Sequence, residues 1–316
     1  MTENRAWDVV SGPGITALGL AASRSVESTR PDRLIEDPWG AAFIAAVDSP
    51  VAFPTRWPDE DEAVTDQQAL HLHGSRYIGV RSRFYDDYLA DAAQRGVQQV
   101  VLLAAGLDTR AFRLTWPSGV TVFEVDQPQV IAFKDEVLNK VGAQPACTRV
   151  AIGADLREAW QETLLAAGFA ADAPTAWVAE GLLAYLPPDA EERLLRQIQE
   201  LSAPGSSIAA DRILTVSRPG DDGANDAALD ELTERSGVEM KSLIDTQARQ
   251  DCAEWLRAQG WTVRESNAVE IAHSYGRDLA DPFARQATPP WLETGFVTGQ
   301  LTDNARLPRV EPRPRR

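Results

Sequence analysis

The sequence predicts an α/β fold, a doubly wound and mostly parallel sheet, and three observations predict it. Short runs rich in Val, Ile, Leu and Phe recur through the middle of the chain, helical patterns separate them, and the first run ends in a glycine-bearing turn. Strands covered by helices on both faces read as continuous apolar runs, because neither side meets water.

Residues 1–96 read as a mostly helical N-terminal extension packed on the core. Residues 16–28 (TALGLAASRSVES) carry strong helix formers, and the turn at Pro31-Asp32 ends them. A second helical piece opens at Pro38, where the missing N–H would be an orphan in any case. Prolines and an acidic cluster make residues 49–66 an irregular, exposed segment. Helical spacing returns over residues 66–95, with Tyr77, Val80, Phe84, Tyr88 and Leu89 on one face.

The period then changes. Residues 99–105 (QVVLLAA), 121–126 (TVFEVD), 148–153 (TRVAIG), 175–180 (TAWVAE) and 207–211 (SIAAD) read as five strands, with helices at 128–138 and 189–201. Residues 219–225 (PGDDGAN) read as a loop, 227–260 as largely helical, and 261–264 as a late strand; the rest is ambiguous. The division is thus an extension over 1–96 and a core over 97–316, with a helical insertion at about 219–260.

Composition narrows the function classes. Across 316 residues the balance is 44% hydrophobic and 25% charged, which suits a globular chain and argues against disorder. The net charge of −16 repels a phosphate backbone, so nucleic acid is not an expected partner. The one basic cluster, residues 309–316, is proline-interrupted and reads as a frayed end. No run approaches the roughly 18–20 apolar residues of a membrane helix, and no secretion signal opens the chain, so a cytoplasmic protein without membrane contact is expected. Cys147 and Cys252 read as free thiols, and three scattered histidines lack metal-ligand spacing, so no metal is expected.

In open α/β sheets, ligands sit outside the carboxyl ends of the strands. The first strand ends in Ala104-Ala105-Gly106-Leu107-Asp108, where Gly106 lets backbone approach a ligand, and Asp126 ends the second strand, placed to accept from a ribose diol. A dinucleotide would need GxGxxG to cradle its pyrophosphate. Here Ala104 stands where the first glycine would be, and Asp108 adds like-charge repulsion. A nucleoside ligand with no phosphate and a cationic centre suits the turn better than NAD does. Asp155 and Leu156 follow the third strand, where a carboxylate and the next N–H suit an adenine edge, although Asp-Leu before a helix is also an ordinary N-cap.

Six segments carry a family resemblance: LLAAGLDTRAFRL (102–114), FEVDQPQVIAFK (123–134), DLREAW (155–160), AEGLLAYLPP (179–188), TALGLAASRSVES (16–28) and LIEDPWGAAFI (34–44). Together they resemble the leucine carboxyl methyltransferase superfamily, and the two N-terminal ones resemble its actinobacterial branch, whose members are mostly described, provisionally, as S-adenosylmethionine-dependent methyltransferases. The likeness runs from about residue 16 to 261. It implies a class I, Rossmann-like methyltransferase fold with a helical N-terminal lid, S-adenosyl-L-methionine as cofactor, and a small-molecule acceptor.

The resemblance also implies roles. Arg81, with Arg83 as the alternative, would pair with the cofactor's methionine carboxylate. Ala104 and Gly106 would lie against the cofactor, Asp126 on its ribose, and Asp155 with Leu156 on its adenine. Glu180 would sit near the methionine portion or the reacting centre, and Tyr185 would line the acceptor pocket or belong to the core. Ala104 departs from the glycine common in the family. For a base, His273 is preferred over His71 and His73, which read as surface or packing groups; the loop at Trp57 is a candidate border of the acceptor entrance. The expected activity is O-methylation, of a carboxylate or hydroxyl, on a small metabolite. Its alternatives are methylation of a protein's terminal carboxylate, an NAD-binding dehydrogenase, and a non-catalytic cofactor-binding protein. The sequence leaves the oligomeric state open.

Overall fold

The computed structural model describes residues 9–10, 12–213, 233, 243–245, 247, 249–279 and 294–302. Seven strands form one sheet: β1 (Gln99–Leu103), β2 (Thr121–Asp126), β3 (Thr148–Gly153), β4 (Thr175–Ala179), β5 (Ser207–Ile213), β6 (Trp261–Asn267) and β7 (Thr294–Leu301), in the order β3-β2-β1-β4-β5-β7-β6. The first five run parallel, while β7 is antiparallel to both β5 and β6. Five strands stand where the sequence predicts them, and the late strand extends past its predicted end to Asn267. The last strand, β7, is an addition: its sequence TGFVTGQL is broken by two glycines, and its pairing is decided by a long-range contact with β5.

Side chains alternate across the sheet and divide the core. From β1, Val101 and Leu103 point to a layer with Phe123, Trp177 and Ile208. That layer is closed by α6 (Trp160–Ala166), α7 (Pro188–Glu200) and α8 (Cys252–Ala258). Val100 and Leu102 point the other way, onto α3 (Asp66–Gln94) and α9 (Ala268–Ser274). The helix α3 opens with a capping box, Thr65 accepting from the Gln68 N–H and Gln68 from the Thr65 N–H. The predicted face of α3 is the buried one: Tyr77, Val80 and Leu89 are enclosed, with Phe84 and Tyr88 packed beside them.

The N-terminal elements are α1 (Gly12–Ser28) and the short α2 (Gly40–Ala45); α1 lies along α3. Between α2 and the sheet lies α5 (Pro128–Lys140), whose Val137 and Leu138 pack with Leu18 and Phe43. Ion pairs fasten α1 down. Arg24 donates to Asp37 at 2.8 Å, and Arg277, beyond α9, grips both oxygens of Glu27 at 3.0 Å each. Glu27 and Arg277 are both buried, so this fork works in a medium where charge pairs are strong and lone charges costly. The predicted loop at 219–225, the basic tail at 309–316 and most of the predicted helical stretch 227–260 lie outside the described residues; within the last, α8 is helical. Cys147 and Cys252 are both free thiols.

Candidate active site

The carboxyl ends of β1, β2 and β4 open into a cavity of about 550 Å³, roofed by α1 and walled by α3. In sheet order its floor runs from Asp126 on β2, through the turn after β1, to Glu180 and Gly181 after β4. Neighbouring strands lie about 4.8 Å apart, so these three turns offer a continuous shelf the size of a nucleoside.

The turn after β1 is shaped by left-handed backbone. Ala104 has φ +50° and Gly106 φ +47°, the first a conformation that an L side chain adopts only with strain. Its reward is orientation: the Gly106 N–H donates to Asp126 Oδ2 at 2.6 Å, and the Gln127 N–H donates to Oδ1 at 2.7 Å. Asp126 is thereby fixed by two backbone donors, one from each neighbouring turn. Burial pushes its pKa up, an effect these two N–H groups oppose.

A buried charge cluster forms the far end of the shelf. Arg81 Nε lies 2.9 Å from Glu180 Oε1 and 3.2 Å from Asp211 Oδ2. Burial works against the Arg81 charge, but Asp211 and Glu180 overcome it and hold the guanidinium protonated. Asp211 Oδ1 accepts from the Gly181 N–H at 2.6 Å, so it positions both the arginine and the turn. The other oxygen of Glu180 accepts from Arg110 Nη1 at 2.6 Å, and Arg110 also pairs with Asp108 and with Asp86. Burial raises Asp108, yet the charge of Arg110 beside it, with those of Lys134, Arg24 and Arg113, brings its pKa down to about 2.

Every arginine at this site has an acidic partner. Arg24 pairs with Asp37, Arg81 with Glu180 and Asp211, Arg110 with Asp86, Asp108 and Glu180, and Arg113 with Asp86. The lining itself carries Asp108, Asp126 and Glu180 against Arg24, Arg81 and Arg110, and each of these arginines is already engaged by a carboxylate. Such pairing leaves no free guanidinium among them for a pyrophosphate.

Arg81, Ala104, Gly106, Asp126, Glu180 and Tyr185 all line the cavity. Arg83 does not: it is exposed on α3 and pairs with Asp87 at 2.8 Å. Asp155 and Leu156 lie outside the wall. The Asp155 carboxylate is taken up by the Arg157 side chain and backbone N–H, and Leu156 packs against the core, so Gln127 and Val130 form the wall beyond Asp126. His273 is a further correction. It is exposed on α9, whose buried side is set by Ala268 and Ala272, and it does not reach the cavity. Trp57 lies under Arg30, 4.0 Å from its guanidinium carbon, and Phe53 is the residue of that segment in the wall.

Three contributors escaped the sequence reading. Arg110 and Asp211 were visible only as the last residue of GLDTR and the end of a strand, and their pairing joins elements far apart in the chain. His71, read as a surface or packing group, lines the cavity. Its signal was its place on the α3 stripe that also carries Gly74, Tyr77, Ile78 and Arg81. Among the described residues no group of His, Cys, Asp and Glu is placed to hold a metal ion, and no helix is long and apolar enough to cross a membrane.

Comparison with known proteins agrees with this geometry. The family model for leucine carboxyl methyltransferase matches residues 17–199. A protein of Saccharopolyspora erythraea, provisionally named an S-adenosyl-L-methionine-dependent methyltransferase, is 44% identical over 281 residues, 89% of this chain and 94% of its own. One of Mycolicibacterium gilvum with the same provisional name is 41% identical over 321 residues, covering 96% of this chain and 99% of its own. A solved structure from Thermobifida fusca, provisionally described as a methyltransferase, aligns over 89% of this chain and 94% of its own, at 16% identity and a TM-score of 0.48. The cofactor is therefore S-adenosyl-L-methionine rather than NAD, the fold is that of the class I methyltransferases, and the chain belongs to the leucine carboxyl methyltransferase family as an S-adenosyl-L-methionine-dependent methyltransferase.

Proposed function

We propose that this enzyme methylates an oxygen atom of a small metabolite. The observation that carries the reading is the cavity itself: at about 550 Å³, beneath α1, it has the volume of a small-molecule site and a roof that a folded protein's tail would have to displace. When bound, S-adenosyl-L-methionine supplies an electrophilic methyl group on a sulfonium.

The chain's own residues hold and align. Arg81 grips the methionine carboxylate with the guanidinium nitrogens that its acidic partners leave over, while Glu180 and Asp211 fix its direction. Asp126, already oriented by two N–H donors, uses its remaining lone pairs on the ribose diol. Ala104 and Gly106 form the floor, and Gln127 with Val130 bracket the adenine in place of Asp155 and Leu156. Glu180, tied to two arginines, serves as a positioning residue. The helices within residues 1–96 act as a lid: α1 contributes Thr16, Leu20 and Arg24 to the wall and keeps water from the sulfonium.

Methylation of a protein's terminal carboxylate is the rival reading. Incubating the enzyme with methyl-labelled cofactor and a cell extract, then separating proteins from the small-molecule filtrate, distinguishes the two. Label in the filtrate is expected, and label retained on protein would overturn the proposal.

A further inference from the structure

The acceptor end of the cavity has a composition of its own. Beyond Arg81 the α3 stripe continues through Ile78, Tyr77 and Gly74 to His71, a band roughly 120° wide at 3.6 residues per turn. His71 stands ten residues before Arg81, about 15 Å along the helix axis, so the methionine grip and the imidazole share one wall. Phe53 lies against His71 and packs with Ile15, and the same cavity is lined by Leu20, with Thr16 and Tyr185 as uncharged polar groups. All the described arginines of the wall belong to the acid-paired cluster at the other end. A carboxylate acceptor would thus meet apolar side chains, two hydroxyls and no spare side-chain cation among the described residues, so its desolvation would be little offset by the chain itself.

Among the described residues of that wall, His71 and Arg81 carry nitrogens without a well-formed hydrogen bond, and only Arg81 has carboxylates beside it. The His71 ring sits edge-to-face with Phe53, centroids 5.3 Å apart, and both its nitrogens are buried, with the Gln67 carbonyl one turn back as the only backbone group acting on them and neither nitrogen in a well-formed hydrogen bond. At least one nitrogen is thus available to a polar group in the cavity. A half-turn about the Cβ–Cγ bond exchanges each nitrogen with a ring carbon, within the broad two-fold well of a histidine χ2. Burial lowers the imidazole's pKa, an effect the Gln67 carbonyl one turn back opposes only in part, so the ring is neutral and able to accept a proton at neutral pH.

We propose that the acceptor is a neutral, hydroxyl-bearing molecule with an apolar or aromatic frame, and that His71 takes its hydroxyl proton. This rests on the reading of the cavity as a joint cofactor and acceptor site. The acceptor oxygen forms a bond to the methyl carbon as the carbon–sulfur bond breaks. The electron pair of that bond returns to sulfur, S-adenosylhomocysteine leaves, and the O–H proton passes to an imidazole nitrogen of His71.

The test uses the full chain with carbon-labelled histidine and saturating S-adenosylhomocysteine, titrated with naphthol and, separately, naphthoate. The chain has 3 histidines, so the signal missing from His71→Gln identifies the ring. Naphthol is expected to move that signal and naphthoate, at equal concentration, to leave it in place. His71→Gln should weaken naphthol binding about fivefold, the size of one net hydrogen bond, and leave S-adenosylhomocysteine affinity unchanged. Naphthoate binding as tightly as naphthol, or a His71 signal indifferent to both, would overturn the proposal. Absence of S-adenosylhomocysteine binding to the unmodified chain, read by calorimetry, would instead overturn the cofactor site on which it rests.

Discussion

The Cβ that Gly181 lacks would lie 2.5 Å from Nη2 of Arg81. At φ +61° the position is also one that an L residue occupies only with strain. The two effects coincide because the turn after β4 must fold beneath the guanidinium to offer its N–H to Asp211. Gly181→Ala should therefore displace Arg81 from Glu180 and Asp211, and disrupting a buried pair costs about 3 kcal/mol or more. For a chain of this size that corresponds to a melting temperature lower by roughly 6–12 °C, accompanied by weaker S-adenosylhomocysteine binding. A thermal melt within a degree or two of the parent would show that the turn does not depend on the missing side chain.

Asp126 is held by one N–H from the Gly106 turn and one from Gln127, and it faces the cavity. Asp126→Ala should weaken S-adenosylhomocysteine binding about 10- to 100-fold, from loss of charge-assisted hydrogen bonds worth about 1.5–3 kcal/mol each. Calorimetry measures this directly, and unchanged affinity rules out the ribose role.

Ala104 gives the turn a strained residue. Relieving φ +50° with Ala104→Gly returns about 1–2 kcal/mol, against about 0.5–1 kcal/mol lost to the freer unfolded chain. The expected result is a stability between unchanged and about 1.5 kcal/mol higher by urea unfolding, with cofactor affinity at least preserved. Destabilisation would mean that the alanine methyl packs usefully against the core.

Asp108 sets an acid limit. Burial raises its pKa, and the charges of Arg110, Lys134, Arg24 and Arg113 together more than reverse this, leaving about 2 against about 3.9 in an unfolded chain. A carboxylate depressed by folding stabilises the fold above its unfolded pKa, and that contribution fades as pH falls from about 4 to about 2. Asp37 adds to the same limb, since Arg24 and Arg113, with hydrogen bonds from Arg24 and Thr109, together outweigh the burial that raises it. Asp108→Asn should cost on the order of 2 kcal/mol at neutral pH and flatten the fall of stability below pH 4. Parallel slopes for parent and variant across that range would assign the acid sensitivity elsewhere.

What was legible in the sequence was what local patterning controls. Strand β2 begins and ends where its apolar run does, and the cofactor turn announced itself through Gly106 and Asp126. What escaped was set by pairing at a distance. The glycine-broken β7 acquires its place only beside β5 and β6. Asp155 looked free for an adenine until Arg157, two residues on, folded back onto it. Distinguishing His71 from His273 required knowing which helix borders the cavity, since α3 and α9 pack in the same layer and only α3 lines it. Arg110 carries three acidic partners from three segments, and no spacing in one chain reports a meeting of that kind.

The Glu27–Arg277 fork joins partners 250 positions apart, and that separation fixes an order of events during biosynthesis. At about 5–20 residues per second, Glu27 emerges from the ribosome roughly 12–50 s before the arginine that neutralises it. Through most of translation Glu27 therefore has only the nearby Arg30, at 3.4 Å, and the Leu34 N–H to satisfy it, and seating the first helix early would bury it without its two-pronged partner. The roof of the cavity consequently gains this latch late. The newborn enzyme passes through an open-topped stage, which offers chaperones, proteases and the cofactor their earliest access to the interior.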